Sequence, residues 1–119
     1  MTRLRQETGH QGEQIALAFL IGLGYRLIEK NWRCRSGEID LIVTDGPVLV
    51  FVEVKARNGG GFGLPQEAVG PAKQARIRRL AQYYLQVRAR DDEECRFDVV
   101  AITHPGDDRP RIEHLKGVF

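Results

Sequence analysis

The chain has 119 residues, 42% of them hydrophobic and 29% charged, and 18 Lys and Arg against 16 Asp and Glu give a formal net charge of +2. That length fits about one ordinary globular domain and excludes two independent cores or a disordered chain. The longest apolar run, residues 15–23, contains a glycine and falls well short of the ~20 residues that span a bilayer, so no membrane segment is expected.

The N-terminal stretch lacks the apolar region of a secretory signal. Cys34 and Cys95 have neither CxxC nor Cys/His ligand spacing, so the expectation is reduced thiols in a cytoplasmic protein, without zinc. The mildly basic balance permits nucleic-acid binding but does not by itself argue for it.

Residues 8–23 read as a first helix. Thr8 stands at the N-cap, Ile15, Ala16, Phe19, Leu20 and Leu23 recur at helical spacing, and Gly24 ends it. Residues 25–33 read as a strand, with Arg35, Ser36 and Gly37 as a turn. Residues 38–44 form a second strand, and Asp45, Gly46 and Pro47 are turn chemistry. Residues 48–55, the most apolar segment, suit a central strand covered on both faces. Residues 58–63 read as a flexible glycine-rich loop. A second helix is expected over about 71–90, with Pro71 at its first position and Ile77, Leu80, Ala81 and Tyr84 as its stripe. After an acidic loop, 91–94, comes a strand over 96–103, a turn over 104–109, and an optional edge strand over Arg111–Leu115. The order α-β-β-β-α-β predicts one α/β domain over residues 1–119, a sheet flanked by helices.

The third strand is apolar except for Glu53, and a buried carboxylate is costly without compensation. Lys55, two residues on, shares its face. A four-residue loop over 45–48 sets Thr44 opposite Leu49, Asp40 opposite Glu53 and Glu38 opposite Lys55. Two acids facing each other at ~5 Å destabilise a hairpin unless a cation lies between them. Mg²⁺ takes such oxygen ligands. A one-residue slip would move Asp40 to the other face. In the unslipped register Lys55 would pair with Glu38 or orient a nucleophilic water. Glu13 lies on the stripe of Ala16, Leu17 and Leu20, which brings it toward the sheet.

A helix with a glutamate, then GEID, then FVEVK, then a helix resembles the PD-(D/E)XK nuclease superfamily. The resemblance implies a restriction-endonuclease-like αβββαβ core, a mixed central sheet flanked by helices. It assigns Asp40 as metal-binding acid, Glu53 as second acidic ligand and Lys55 as catalytic lysine. Glu13 matches the first-helix glutamate of the archaeal Holliday junction resolvase branch. Ile39 stands where the superfamily's name has proline. The blocks GEQIALAFL, GYRLIEKNWR, GEIDLI, VFVEVKAR, FGLPQEAV and RFDVV, from Gly12 to Ile102, are similar to the YraN-like bacterial family of endonuclease-like proteins.

The implied activity is metal-dependent hydrolysis of phosphodiester bonds in DNA, with branched or structured DNA as a substrate class and RNA still open. Mg²⁺ or Mn²⁺ would sit on Asp40, Glu53, Glu13 and the backbone carbonyl of Val54, with Lys55 assisting the attacking water. Arg57, Lys73 and Arg76, with Arg79 beside them, are the expected phosphate contacts. Two alternatives are a nucleic-acid-binding module that keeps the acidic site without cutting, and a protein-interaction domain using the edge near 111–115. A homodimer would give one centre per strand. Asp98 interrupts a buried strand and needs a partner such as an arginine. His10 is expected to be exposed, and His104 and His114 to be surface residues. Trp32, Tyr83 and Tyr84 are expected in core or interface, and the cysteines as inert thiols.

Overall fold

The computed structural model describes residues 3–58 and 70–119, with side chains from residue 9 onward. The loop expected at 58–63 and the FGLPQEAV block therefore lie, from residue 59 on, outside the described residues.

Helix α1 spans Arg3–Gly22. It begins five residues before the expected start, so Thr8 lies inside it and does not cap it. The polar residues ahead of Thr8 are mostly good helix formers, but they carry no apolar stripe, and periodicity alone does not see them. Ala16 and Leu20 are fully buried, whereas Leu23 is half-exposed. Strands β1 (Arg26–Cys34), β2 (Gly37–Asp45) and β3 (Val48–Arg57) follow. Helix α2 (Pro71–Val87) ends three residues short of the expected boundary. Strands β4 (Cys95–Thr103) and β5 (Arg111–Leu115) complete the chain.

The strands form a five-stranded mixed sheet in the order β1-β2-β3-β4-β5. The first three are an antiparallel meander, β3 and β4 are parallel across the α2 crossover, and β5 returns antiparallel. This α/β arrangement is consistent with a restriction-endonuclease-like fold. The β2–β3 register is the expected one, with Thr44 opposite Leu49 and Leu41 opposite Val52. The turn is tighter than expected. Asp45 pairs with Val48, leaving Gly46, at φ +58°, and Pro47 as the connection.

Each face of the sheet has its own core. Ala16 and Leu20 of α1 pack on Leu41, Val43, Val50 and Val52. Leu80, Ala81 and Tyr84 of α2 pack on Trp32, Ile39, Ile42 and Phe51. Helix α1 lies unusually close to β3 at one point, where a Cβ built on Gly12 collides with the Cβ of Ala56. That close approach seats the next residue, Glu13, against the sheet.

Asp98 has the partner it needs. It is fully buried and accepts from Arg96 Nε at 2.9 Å and from the Gly117 amide at 3.0 Å. His114 is not the surface residue expected. Its side chain is 8% exposed and its Nε2 lies 2.8 Å from Asp98 Oδ2. The reason is register: His114 stands opposite Val100, a residue of the α1-side core. Among the described residues, no helix is long and apolar enough to cross a membrane.

Candidate functional site

The site forms where β2 leaves β3. Their pairing stops at Leu41 and Val52, while β3 continues beside β4 from Glu53 to Arg57. The Leu49 amide donates toward β4, to Glu94 O at 2.8 Å. By strand alternation the Val54 amide points the other way, toward β2. It donates to Asp40 Oδ2 at 2.8 Å. A side-chain carboxylate thus takes a β3 amide just past the last paired residues, and the strands separate around it.

The alternation of β2 also breaks at Asp40. Ile42 and Ile39, three residues apart, both pack on the α2 side, while Leu41 packs on the α1 side. Across from Asp40, between the pairs Lys30–Leu41 and Trp32–Ile39, lies Asn31 at φ +52°. Asparagine tolerates this left-handed conformation better than most residues. Asp40 therefore sits at the rim between the two faces of the sheet.

From the α2 side come Glu53 and Lys55, which alternate on the face that carries Phe51. The first turn of α2 adds Lys73. Lys73 Nζ lies 2.8 Å from Glu53 Oε1, and Lys55 Nζ lies 3.6 Å from the same oxygen. The expected pairing of Lys55 with Glu38 is not formed. Glu38 instead pairs with Arg33 at 3.0 Å, because β2 has already left β3 at that level.

From the α1 side comes Glu13. The Asn31 amide, oriented to satisfy both partners, donates to Glu13 Oε1 at 2.9 Å and to Glu38 Oε1 at 3.1 Å. One carboxylate oxygen each from Glu13, Glu38 and Asp40 lie within 4.8 Å of one another. Glu38 and Asn31 were absent from the expected set. Glu38 had a signal, its position two residues before Asp40 in GEID. The backbone twist that brings Asn31 in has none.

This crowding shifts the titration of the site. Burial, then Glu53, pushes the Asp40 carboxyl up to about 7; the Val54 amide opposes this, and Glu13 and Glu38 add to it. Burial and then Glu38 raise Glu13, against the Asn31 hydrogen bond. Burial and then Lys73 lower Lys55. Burial pulls Lys73 down as well, but its hydrogen bonds with Glu53 and Lys55 outweigh this and leave it raised.

Glu38, Asp40, Glu53, Lys73 and Arg76 line one cavity of about 260 Å³. Glu13 and Asn31 line a smaller one of about 60 Å³ together with His10 and Leu17. Lys73 and Arg76 thus reach the acidic site, though Lys73 is engaged with Glu53 and does not stand clear of it. Arg57, at the end of β3, lies outside the lining of both cavities. Its carbonyl accepts from the His104 amide at 2.8 Å.

Residues 12–102 match the family model described as "Uncharacterised protein family UPF0102". A UPF0102 protein of Syntrophus aciditrophicus (strain SB) is 51% identical over 112 residues, 94% of this chain and 87% of the relative. One from Geobacter sulfurreducens is 49% identical over 111 residues, 93% of this chain and 87% of the relative. One from Moorella thermoacetica is 45% identical over 120 residues, the full length of both chains. The chain belongs to the UPF0102 family, the YraN-like family that its sequence blocks resemble.

Proposed function

We propose that this chain is a metal-dependent endonuclease that hydrolyses phosphodiester bonds in DNA, with branched or structured DNA as the preferred class. One observation carries the reading. Asp40, its carboxyl pushed up to about 7, stands among Glu13, Glu38 and Glu53 with Lys55 and Lys73 beside it. Carboxylates crowd in this way at structural cost unless a cation balances them.

The donor set fits Mg²⁺ or Mn²⁺, because every donor is a hard oxygen and the oxygens of Glu13, Glu38 and Asp40 lie within one ion's reach. Asp40, Glu53 and Glu13 would hold the ion, and Glu38, whose oxygen lies within 4.8 Å of those of Glu13 and Asp40, would join them. The Val54 carbonyl is a further ligand in this reading, since it points to the same strand edge as the Val54 amide. A bound cation supplies Lewis-acid polarisation and a more acidic water.

The chain's own residues do the rest. The Val54 amide fixes the Asp40 rotamer. Lys55, partly buried and 3.6 Å from Glu53, positions the attacking water. Water oxygen bonds to phosphorus and its proton passes to solvent, the bond to the leaving oxygen breaks, and that oxygen takes a proton from solvent. Lys73 and Arg76 stabilise charge on the phosphoryl oxygens. Two copies would place one centre on each strand of a duplex.

One observation favours a second reading, a nucleic-acid-binding module without turnover. Lys73 already neutralises Glu53 at 2.8 Å. A panel of labelled single-stranded, duplex, flapped and four-way DNA, with a single-stranded RNA beside it, tests both readings. Cleavage in Mg²⁺ or Mn²⁺ that EDTA abolishes is the expected result. Tight binding without cleavage under every condition would establish the second reading.

A further inference from the structure

A second cavity of about 260 Å³ adjoins the acidic one. It is lined by Cys34, Ser36, Arg76, Arg79, Leu80 and Tyr83. Arg76 and Leu80 line both cavities, so the two lie side by side along α2. Arg76, Arg79 and Tyr83 fall at helical spacing on one side of α2. Both arginines are exposed, and among the described residues neither is in an ion pair.

Tyr83 differs from its neighbours. Trp32 and Tyr84 are buried in the α2-side core, at 8% and 1% exposure, but Tyr83 is 50% exposed. Its ring is held beside Trp32, with centroids 6.0 Å apart and planes at 47°. The core thus supports an aromatic ring that it does not cover, at the wall of a cavity that adjoins the acidic centre.

We propose that this cavity is a subsite for one unpaired nucleotide of a DNA strand, its base against Tyr83 and its phosphate on Arg76 and Arg79. The inference rests on the nuclease reading of the acidic centre and names the substrate class for it. A base in a duplex has both faces covered by its neighbours and offers only its edges. An aromatic face can be used only by a base that has left the stack. The arginines supply the anionic contact that brings the strand in. The cavity is small for a ligand site, a size for one planar group. The strand threaded past Asp40 is therefore single at that position, as in a flap, a fork or the opened arm of a junction.

The test is fluorescence anisotropy of labelled single-stranded DNA, duplex DNA of the same sequence, and matching single-stranded RNA. It is run in EDTA so that nothing is cut. Binding of single-stranded DNA about tenfold tighter than duplex is expected, about tenfold of which Tyr83→Leu removes and Tyr83→Phe restores. Arg79→Ala should weaken both DNAs and reduce the salt slope by about one. Equal affinity for single strand and duplex would overturn the proposal. So would single-strand binding that Tyr83→Leu leaves unchanged, and tighter binding of RNA would overturn the assignment to DNA. Metal-dependent cleavage without any Tyr83 effect would sink this subsite and leave the nuclease reading standing. A Tyr83-dependent single-strand preference without cleavage in any metal would do the reverse.

Discussion

Lys73 holds the Glu53 carboxylate more closely than Lys55 does, at 2.8 Å against 3.6 Å, although Lys55 shares Glu53's strand. Glu53 is thus held from its own strand and from the first turn of the helix that crosses over it. Lys73 acts as the resident counter-ion, and a divalent cation would have to share Glu53 with it.

That sharing has a measurable consequence. Lys73→Ala leaves Glu53 without its nearest full positive charge, so the variant should lose about 1–2 kcal/mol of stability in EDTA. Its more negative site should bind Mn²⁺ more tightly. Thermal melts with and without Mn²⁺ should show a larger ion-dependent shift in the variant than in the wild type. An equal shift in both would mean that Lys73 and the ion do not compete.

The Asp40 carboxyl is raised from an ordinary 3.8 to about 7. Between those values the folded protein holds a proton that the unfolded chain has released. Stability in EDTA should therefore fall as pH rises from about 4 to about 7, by on the order of a few kcal/mol, and level off above. Asp40→Asn keeps an acceptor for the Val54 amide and removes the titration. Urea unfolding across this window should slope downward for the wild type and be flatter for the variant.

Much of this arrangement was legible in the sequence. The β2–β3 register followed from turn chemistry and alternation, and it placed Asp40 beside Glu53. The tail of that register did not hold, because the Asp40 carboxylate itself takes the Val54 amide and parts the strands. Glu38 was consequently assigned to Lys55, when it faces Arg33, Asn31 and Asp40 instead. The pairing of Lys73 with Glu53 was not foreseen, because helical spacing does not tell how the first turn sits over the sheet. His114 was read by its nearness to a turn, when its register opposite Val100 turns it inward.

Helix α1 owes its position to the lack of a side chain at Gly12. Gly12→Val should drive its branched carbons into Ala56, at a cost of about 1–3 kcal/mol. It should also draw Glu13 away from Asp40. Ala56→Gly in the same chain should restore part of the melting temperature. No recovery in the double variant would show that the contact is not limiting.

Asp98 is a structural acid opposite Val52, on the other face of the sheet from Glu53. Asp98→Ala leaves Arg96 and His114 without the partner they share, so a loss of about 3–5 kcal/mol is expected. Hydrogen exchange should report it first at the amides of β5, which His114 and Gly117 tie to Asp98. Uniform loss of protection across the sheet would instead point to global unfolding.

The most direct test of the account is the cleavage rate in Mn²⁺ of a flapped or four-way DNA by wild type and Asp40→Ala, each shown to be folded. The wild type should cut, and the variant's rate should be about a thousandfold lower. Equal cutting by both proteins would contradict it.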